Sequence, residues 1–233
     1  MSVRTLRKKV VFSDELLASN ENPFSTNKVT RYSLNFPIIG TCAPTALCAD
    51  TCYFTKGPST WSASLRKQYR LMNTVIDEPR ETAGRIVAWA IRLKIDYICW
   101  NGGGDLFPEL VDCINHTTAV LSDRPHWVRT RKPQLASRIE PRPNVYVHLS
   151  IDNHSWNRYE KMKALAPPSL QWFTAYQCAP GEVPTGNESK VIFRDGYKLR
   201  GTAPVENDCY LNLTEDITGA CGRCRRCFDG SAL

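Results

Sequence analysis

Seven of the ten cysteines fall into two groups whose spacing is typical of metal ligands. The first group, here called the triad, lies within TCAPTALCADTCYF and consists of Cys42, Cys48 and Cys52. The second, here called the tail group, lies near the C-terminus and consists of Cys209, Cys221, Cys224 and Cys227. Thiolates two residues apart on a tight loop can reach neighbouring metal positions, and glycines let the backbone approach an inorganic core. The spacing predicts two metal-binding groups.

The spacing of the tail group favours iron–sulfur over zinc. Structural zinc sites usually show two separated C-x2-C pairs. Here three cysteines run together as C-x2-C-x2-C in ACGRCRRCF, which is a spacing of ferredoxin-type loops. The triad is less specific, but three thiolates suit a [4Fe–4S] cluster whose fourth iron takes an outside ligand. Zinc and the absence of a metal stay open as alternatives for the tail group.

The other three cysteines, Cys99, Cys113 and Cys178, lie inside or beside apolar segments. Free cysteine packs as a small buried hydrophobe, so we expect these three in the core. The chain has no apolar stretch of transmembrane length and no signal-peptide core, which predicts a cytoplasmic protein without a membrane partner. Its formal charge of +7 suits an anionic partner such as nucleic acid, although thiolate ligands would offset part of that charge.

Strand-like and helix-like segments alternate along the chain. Apolar residues recur with a helical period from Trp61 to Ile76, a new helix can begin at Pro79, and Pro167 ends a later one. This alternation implies a parallel sheet with right-handed crossovers, either doubly wound or a partial α/β barrel. Six segments read as strands: RYSLNF, IDYICW, HWVRT, VYVHL, LQWFTAY and VIFR.

The loops that follow these strands carry most of the polar and cysteine residues. In both kinds of sheet, ligands gather at the C-terminal ends of the strands, so we expect a small-molecule site at this rim. Arg129, Arg131 and Lys132 could hold an anionic substrate there or form an outward basic turn. Asp152 could act as an acid or base, but an N-cap before Trp156 is the preferred interpretation. His148 alternates with valines and is interpreted as a satisfied strand histidine.

Together, these motifs resemble the phage gene product 88 family over most of residues 30–228. The resemblance rests on the triad loop ending in Cys-Tyr, the glycine-rich strand end, and the terminal C-x2-C-x2-C followed by an aromatic. It implies an α/β fold of the radical-SAM type: a partial (β/α)6 barrel with a Cys-rich C-terminal tail. In true radical S-adenosylmethionine (AdoMet) enzymes, three cysteines after the first strand hold a [4Fe–4S] cluster, and AdoMet chelates its fourth iron.

Carried over to this sequence, the resemblance makes the triad the ligand set of the AdoMet-type cluster and the tail group that of an auxiliary cluster. Gly103, Gly104 and Asp105 resemble the Gly-Gly-Glu segment that meets the AdoMet amino group, and Tyr53 is a further cofactor-binding candidate. The sequence departs from the usual radical-SAM pattern, whose spacing is C-x3-C-x2-C, in its C-x5-C-x3-C spacing. Thr51 also stands where an aromatic is usual, and Asp105 is one methylene shorter than Glu.

The resulting expectation is a phage-encoded protein with one or two [4Fe–4S] clusters. One alternative is a radical AdoMet enzyme that acts reductively on an unknown substrate, and another is a zinc-stabilised module that binds host protein or nucleic acid. The predicted organisation is a lead-in over residues 1–30, a partial barrel with the triad loop over 31–200, and a metal-binding tail packed on the barrel over 201–233.

Overall fold

A five-stranded parallel sheet forms the centre of the protein. The computed structural model describes residues 21–179, 182, 191–194, 207–209, 214 and 216–228. Neighbouring strands follow chain order without a reversal, and the sheet curls into a half-barrel. A doubly wound sheet would reverse its strand order at a switch point, so the observed order excludes that alternative and identifies a partial barrel. The strands are β3 (Ile98–Trp100), β4 (His126–Thr130), β5 (Val145–Ile151), β6 (Trp172–Gln177) and β7 (Val191–Phe193).

Alternation along the strands gives the sheet two different faces. In β5, Val147 and Leu149 belong to the main core, which the long helices cover, whereas Tyr146 and His148 point to the opposite, concave face. None of the helices in the described ranges is long and apolar enough to cross a membrane. The helical segments are α1 (Ile38–Thr41, with non-helical backbone inside), α2 (Ala46–Thr51), α3 (Ser62–Asp77), α4 (Pro79–Arg92), α5 (Pro108–Val120), α6 (Pro133–Ala136), α7 (Trp156–Leu165) and α8 (Ala220–Cys224).

The predicted first strand, RYSLNF, divides into two parts. Its first half is β2 (Arg31–Ser33), which pairs with β1 (Ser25–Asn27) in an antiparallel hairpin. Its second half lies along β3: the Leu34 amide donates to the Cys99 carbonyl at 2.9 Å, and the Gly102 amide donates to the Leu34 carbonyl at 3.0 Å. A bulge at Asn101, whose φ is +54°, interrupts the ladder, so only an isolated bridge at Asn35 follows. The main sheet therefore has five strands instead of the predicted six.

The C-terminal segment extends the other edge of the sheet. The Ile192 amide donates to the Asn207 carbonyl, and the Cys209 amide donates to the Ile192 carbonyl, both at 2.8 Å. Within the predicted lead-in, Phe24 is buried in the main core. The parts of the lead-in and tail that lie in the described ranges thus pack on the sheet. The remaining parts, residues 1–20, most of 201–215 and residues 229–233, lie outside the described residues.

His126, the first residue of β4, is a fully buried neutral histidine. The Trp100 indole N–H donates to its Nδ1 at 3.2 Å, so Nε2 carries the proton and donates to the Leu121 carbonyl at 3.1 Å. Burial lowers the pKa of His126 to about 4 from 6.5. As the pH falls, the unfolded chain binds a proton at His126 before the folded protein does. The free energy of unfolding therefore decreases between pH 6.5 and pH 4.

We expect His126 to contribute roughly 3 kcal/mol to the free energy of unfolding above pH 6.5 and almost none below pH 4. The test is denaturant unfolding of the wild type and His126→Gln at several pH values. The stability difference between the two proteins should shrink as the pH falls. A difference that stays constant from pH 7 to pH 4 would contradict the assignment.

Candidate functional site

A cavity of about 240 Å³ opens at the C-terminal ends of the strands, on the concave face. This is the rim at which the sequence predicts a site. Every candidate residue from the N-terminal half lines it: Cys42, Cys48, Cys52, Tyr53, Gly103, Gly104 and Asp105. Residues from β4, β6 and β7 complete the wall, so the topology brings together groups that are far apart in the chain.

Both ends of α2 fasten the triad loop to the sheet. Thr45 is the N-cap of α2: its hydroxyl accepts from the Cys48 amide at 3.2 Å and donates to Asp152. At the other end, the Thr51 hydroxyl accepts a hydrogen bond from the side-chain amide of Gln177. The position of Cys48 and Cys52 therefore depends on residues at the ends of β5 and β6.

A buried ion pair lies beneath this loop. Arg131 donates to Asp152 at 3.0 Å, and the two side chains are only 9% and 0% exposed. Arg131 also donates to the side-chain oxygen Oε1 of Gln177 at 2.9 Å. Burial alone would raise the pKa of Asp152. Hydrogen bonds from Thr45 and Ser155, together with the Arg131 charge, have the larger combined effect, so the pKa of Asp152 is lowered. The predicted N-cap role of Asp152 is wrong, because Ser155 is the N-cap residue of α7.

The protein environment favours the protonated form of two triad thiols, those of Cys42 and Cys48. Burial and the nearby Asp105 charge raise the pKa of Cys42 to about 12. Burial also raises the pKa of Cys48, although the Arg131 charge opposes the shift. Any metal bound by these thiols would have to displace their protons, so its binding would weaken at low pH.

The glycine segment packs directly against the triad loop. A Cβ on Gly103 would lie 2.2 Å from the Phe54 ring, and Gly104 has a φ of +83°. The Tyr53 hydroxyl donates to the Gly102 carbonyl. The Asp105 carboxylate is 3% exposed and accepts from the Thr130 hydroxyl at 2.6 Å and the Leu106 amide at 2.7 Å. Burial raises the pKa of Asp105. These residues therefore have a local packing role, whatever they bind.

The tail group lies across another part of the concave face. The Gly219 amide donates to the Lys28 carbonyl at 2.6 Å, which ties the tail to the β1–β2 turn. Phe228 is fully buried and stacks on Tyr97 with centroids 4.2 Å apart. His148 donates through Nε2 to the Cys227 carbonyl at 2.9 Å, which confirms it as a satisfied strand histidine. Burial and then the charges of the other three tail-group cysteines raise the pKa of Cys227, so the four thiols are neighbours.

One family model spans the triad, the cavity and the tail group. The model described as gene product 88 matches residues 6–230. The chain belongs to the gene product 88 family. This assignment confirms the family that the cysteine and glycine motifs resemble. No curated protein and no solved structure matches the chain.

In this gene product 88 protein, Arg129 and Cys99 lie between the two cysteine groups. Arg129 donates to the Cys99 sulfur at 3.8 Å, and its guanidinium lies 4.6 Å from the centre of the Trp127 ring. Cys99 is buried, but it belongs to a small cluster on the concave face that also contacts Cys221 and Cys227. Sequence reasoning assigned Cys99 to the core and overlooked this contact. The alternation in IDYICW and HWVRT was the available signal, since it puts Cys99, Trp127 and Arg129 on one face.

The remaining predicted core cysteines, Cys113 and Cys178, are buried in the main core as expected. Across the described parts of the gene product 88 chain, no group of three or more His, Cys, Asp or Glu side chains is arranged to hold a metal ion. Within the triad, and likewise within the tail group, the thiols lie near one another but do not surround a single ion position.

Gly103→Ala should destabilise this gene product 88 protein by about 1–3 kcal/mol, because the added methyl collides with the Phe54 ring. Gly84→Ala is the matched control, since Gly84 lies inside α4 with open space around it. That change should stabilise the protein by roughly 0.5–1 kcal/mol through helix propensity. Denaturant unfolding measures both. A Gly103→Ala protein as stable as the wild type would show that the Phe54 contact is absent.

The two cysteine groups should respond to different buried ion pairs. The Arg131–Asp152 pair holds the triad loop, and a similar pair, Arg194–Asp208, is 8% and 0% exposed and directly precedes Cys209. Since breaking such a pair leaves a buried charge uncompensated, we expect Asp152→Asn to speed alkylation of the triad thiols in metal-free protein by about tenfold. Asp208→Asn should instead speed alkylation of the tail group.

Peptide mass spectrometry after timed alkylation identifies which thiols react. Circular dichroism on the same samples shows whether each variant stays folded. If either variant exposes both groups equally while it stays folded, the two ion pairs do not act separately and the prediction is wrong.

Proposed function

We propose that this gene product 88 protein is an iron–sulfur protein that carries one or two [4Fe–4S] clusters on its half-barrel. The triad would hold one cluster, and the tail group would hold the other. The observation that supports this proposal is that thiols from residues 42–52 and from residues 209–227 reach the same concave face, although they lie near opposite ends of the chain.

The donor sets fit this kind of group better than a single zinc ion. Three of the tail-group thiols follow the C-x2-C-x2-C spacing of ferredoxin-type loops, whereas structural zinc sites usually show two separated C-x2-C pairs. A [4Fe–4S] core spreads its ligands over four irons, so the thiols can stand further apart. The three triad thiols line a cavity wall, which leaves room for a different ligand on the cavity side.

The residues around the two groups would hold and shield such clusters. A bound cluster supplies one-electron reduction and oxidation. Phe228 and Trp127 exclude water beside the tail group, and the Thr45–Asp152 hydrogen bond orients the triad loop. Arg129 places a positive charge between the groups, which favours the reduced, more negative state of either one.

The second candidate is a radical AdoMet enzyme that acts reductively on a small substrate. It is favoured by the position of Tyr53, Gly103 and Asp105, which line the same cavity as the triad. The packing of Gly103 against Phe54 weighs against it, because that contact already explains the glycine. Electron paramagnetic resonance of the reduced protein with and without AdoMet distinguishes the two candidates, since AdoMet bound to an open iron changes the spectrum.

Protein purified without oxygen should be brown and should contain iron with acid-labile sulfide. Cys221→Ser should lose the metal of the tail group and destabilise the tail, because a site completed only on folding couples binding to stability. Cys48→Ser should lose the metal of the triad only. Metal and sulfide analysis of each variant measures these losses.

Cys113→Ala is the matched control, because Cys113 is fully buried in the main core. This variant should keep all its iron and lose only packing, on the order of 1 kcal/mol. Iron loss from Cys113→Ala equal to that from Cys221→Ser would contradict the division of the cysteines. Stoichiometric zinc without sulfide would overturn the iron–sulfur proposal and support the zinc-stabilised module.

A further inference from the structure

Cationic side chains outnumber carboxylates among the described residues that line the cavity. Among the described residues that line it, three are arginines, namely Arg129, Arg131 and Arg194, and one, Asp105, carries a carboxylate. Lys132 adds a fourth cation nearby, and its ammonium group donates to the Leu106 carbonyl at 2.7 Å. Arginine guanidinium groups recognise carboxylate and phosphate through paired hydrogen bonds. From this wall we propose that the cavity binds a small organic anion, with Arg129 as its anchor.

The three arginines differ in the contacts that they make with the protein. Arg131 and Arg194 each pair with a buried carboxylate, so an anion in the cavity would compete with Asp152 or Asp208 for them. Arg129 stacks on the Trp127 ring and donates to the Gly102 carbonyl at 3.4 Å. Stacking holds the plane of the guanidinium at the cavity wall, and a stacked guanidinium recognises carboxylate or phosphate through its edge. Arg129 is therefore placed to anchor the bound molecule.

Asn101 supplies a second feature of the wall. Its side-chain N–H donates to the Arg129 carbonyl at 2.8 Å, and the residue is 3% exposed. Its Oδ1 has no hydrogen-bond partner among the described residues. Buried acceptors are nearly always satisfied in folded proteins. A hydroxyl or N–H group next to the anionic group of the bound molecule would supply this partner.

The size of the cavity limits the class of molecule. At about 240 Å³, part of which a cluster on the triad would occupy, it lies below the range of about 300–1,000 Å³ that is typical of drug-sized ligands. A carboxylate or phosphate ester with a few further heavy atoms fits this space, whereas a nucleic-acid strand or a peptide chain does not. The inference deepens the proposed function, because it names the class of small molecule at the same site.

Isothermal titration calorimetry on protein purified without oxygen, at constant ionic strength, tests the site. The probes are inorganic phosphate, acetate and glycolate, where glycolate differs from acetate by one hydroxyl. We expect saturable binding of phosphate or of a carboxylate, and tighter binding of glycolate than of acetate if Asn101 accepts from the hydroxyl. Arg129→Gln should weaken binding by at least about tenfold.

Arg92→Gln is the matched control, since Arg92 also stacks on a tryptophan, Trp89, but lies outside the cavity wall. This variant should bind each probe as the wild type does. The absence of saturable binding at millimolar concentrations, or an equal loss in both variants, would overturn the inference. Circular dichroism excludes loss of folding as the cause.

The outcome is separable from that of the proposed function. Anion binding without iron or sulfide would overturn the iron–sulfur proposal and leave the anion site standing. Iron and sulfide without anion binding would overturn only the anion site.

Discussion

The buried ion pair between Arg131 and Asp152 connects the sheet to the triad. Burying two charges is costly unless their other hydrogen-bonding atoms are also satisfied. Asp152 meets this condition through Thr45 and Ser155, and Arg131 meets it through Gln177. The pair and its partners come from the triad loop, from the ends of β4, β5 and β6, and from the start of α7. The position of the triad cysteines therefore depends on how the curved sheet brings the ends of these strands together.

The long helices leave the concave face of the half-barrel uncovered, and residues 216–228 of the tail cover part of it. Tyr97, Trp127 and Phe228 form a small apolar cluster there, separate from the main core. Because the tail crosses this face, its cysteines come close to Cys99 and to the Arg129 side of the cavity. A metal bound by the tail group would then add to the stability of that cover, since binding and folding would be coupled.

The glycine segment illustrates how packing and ligand binding can favour the same residues. Gly103 resembles part of an AdoMet-binding motif, but the Phe54 ring occupies the space that its side chain would need. Asp105 resembles the acidic end of that motif, and its carboxylate already accepts from Thr130 and Leu106. The fold needs these residues to seat the triad loop, so their presence alone does not require a cofactor.

The sequence by itself determined most of the elements and the two cysteine groups. HWVRT is a strand over the predicted residues, and α4 begins at Pro79 as expected, because side-chain alternation and proline geometry act locally. The divided first strand was beyond prediction, since the bulge at Asn101 is defined by its pairing with a distant segment. Only the tertiary structure decided that Asp152 holds the triad loop and that Arg129 lies between the cysteine groups. Both depend on strand register and on curvature, which join residues that no local pattern connects.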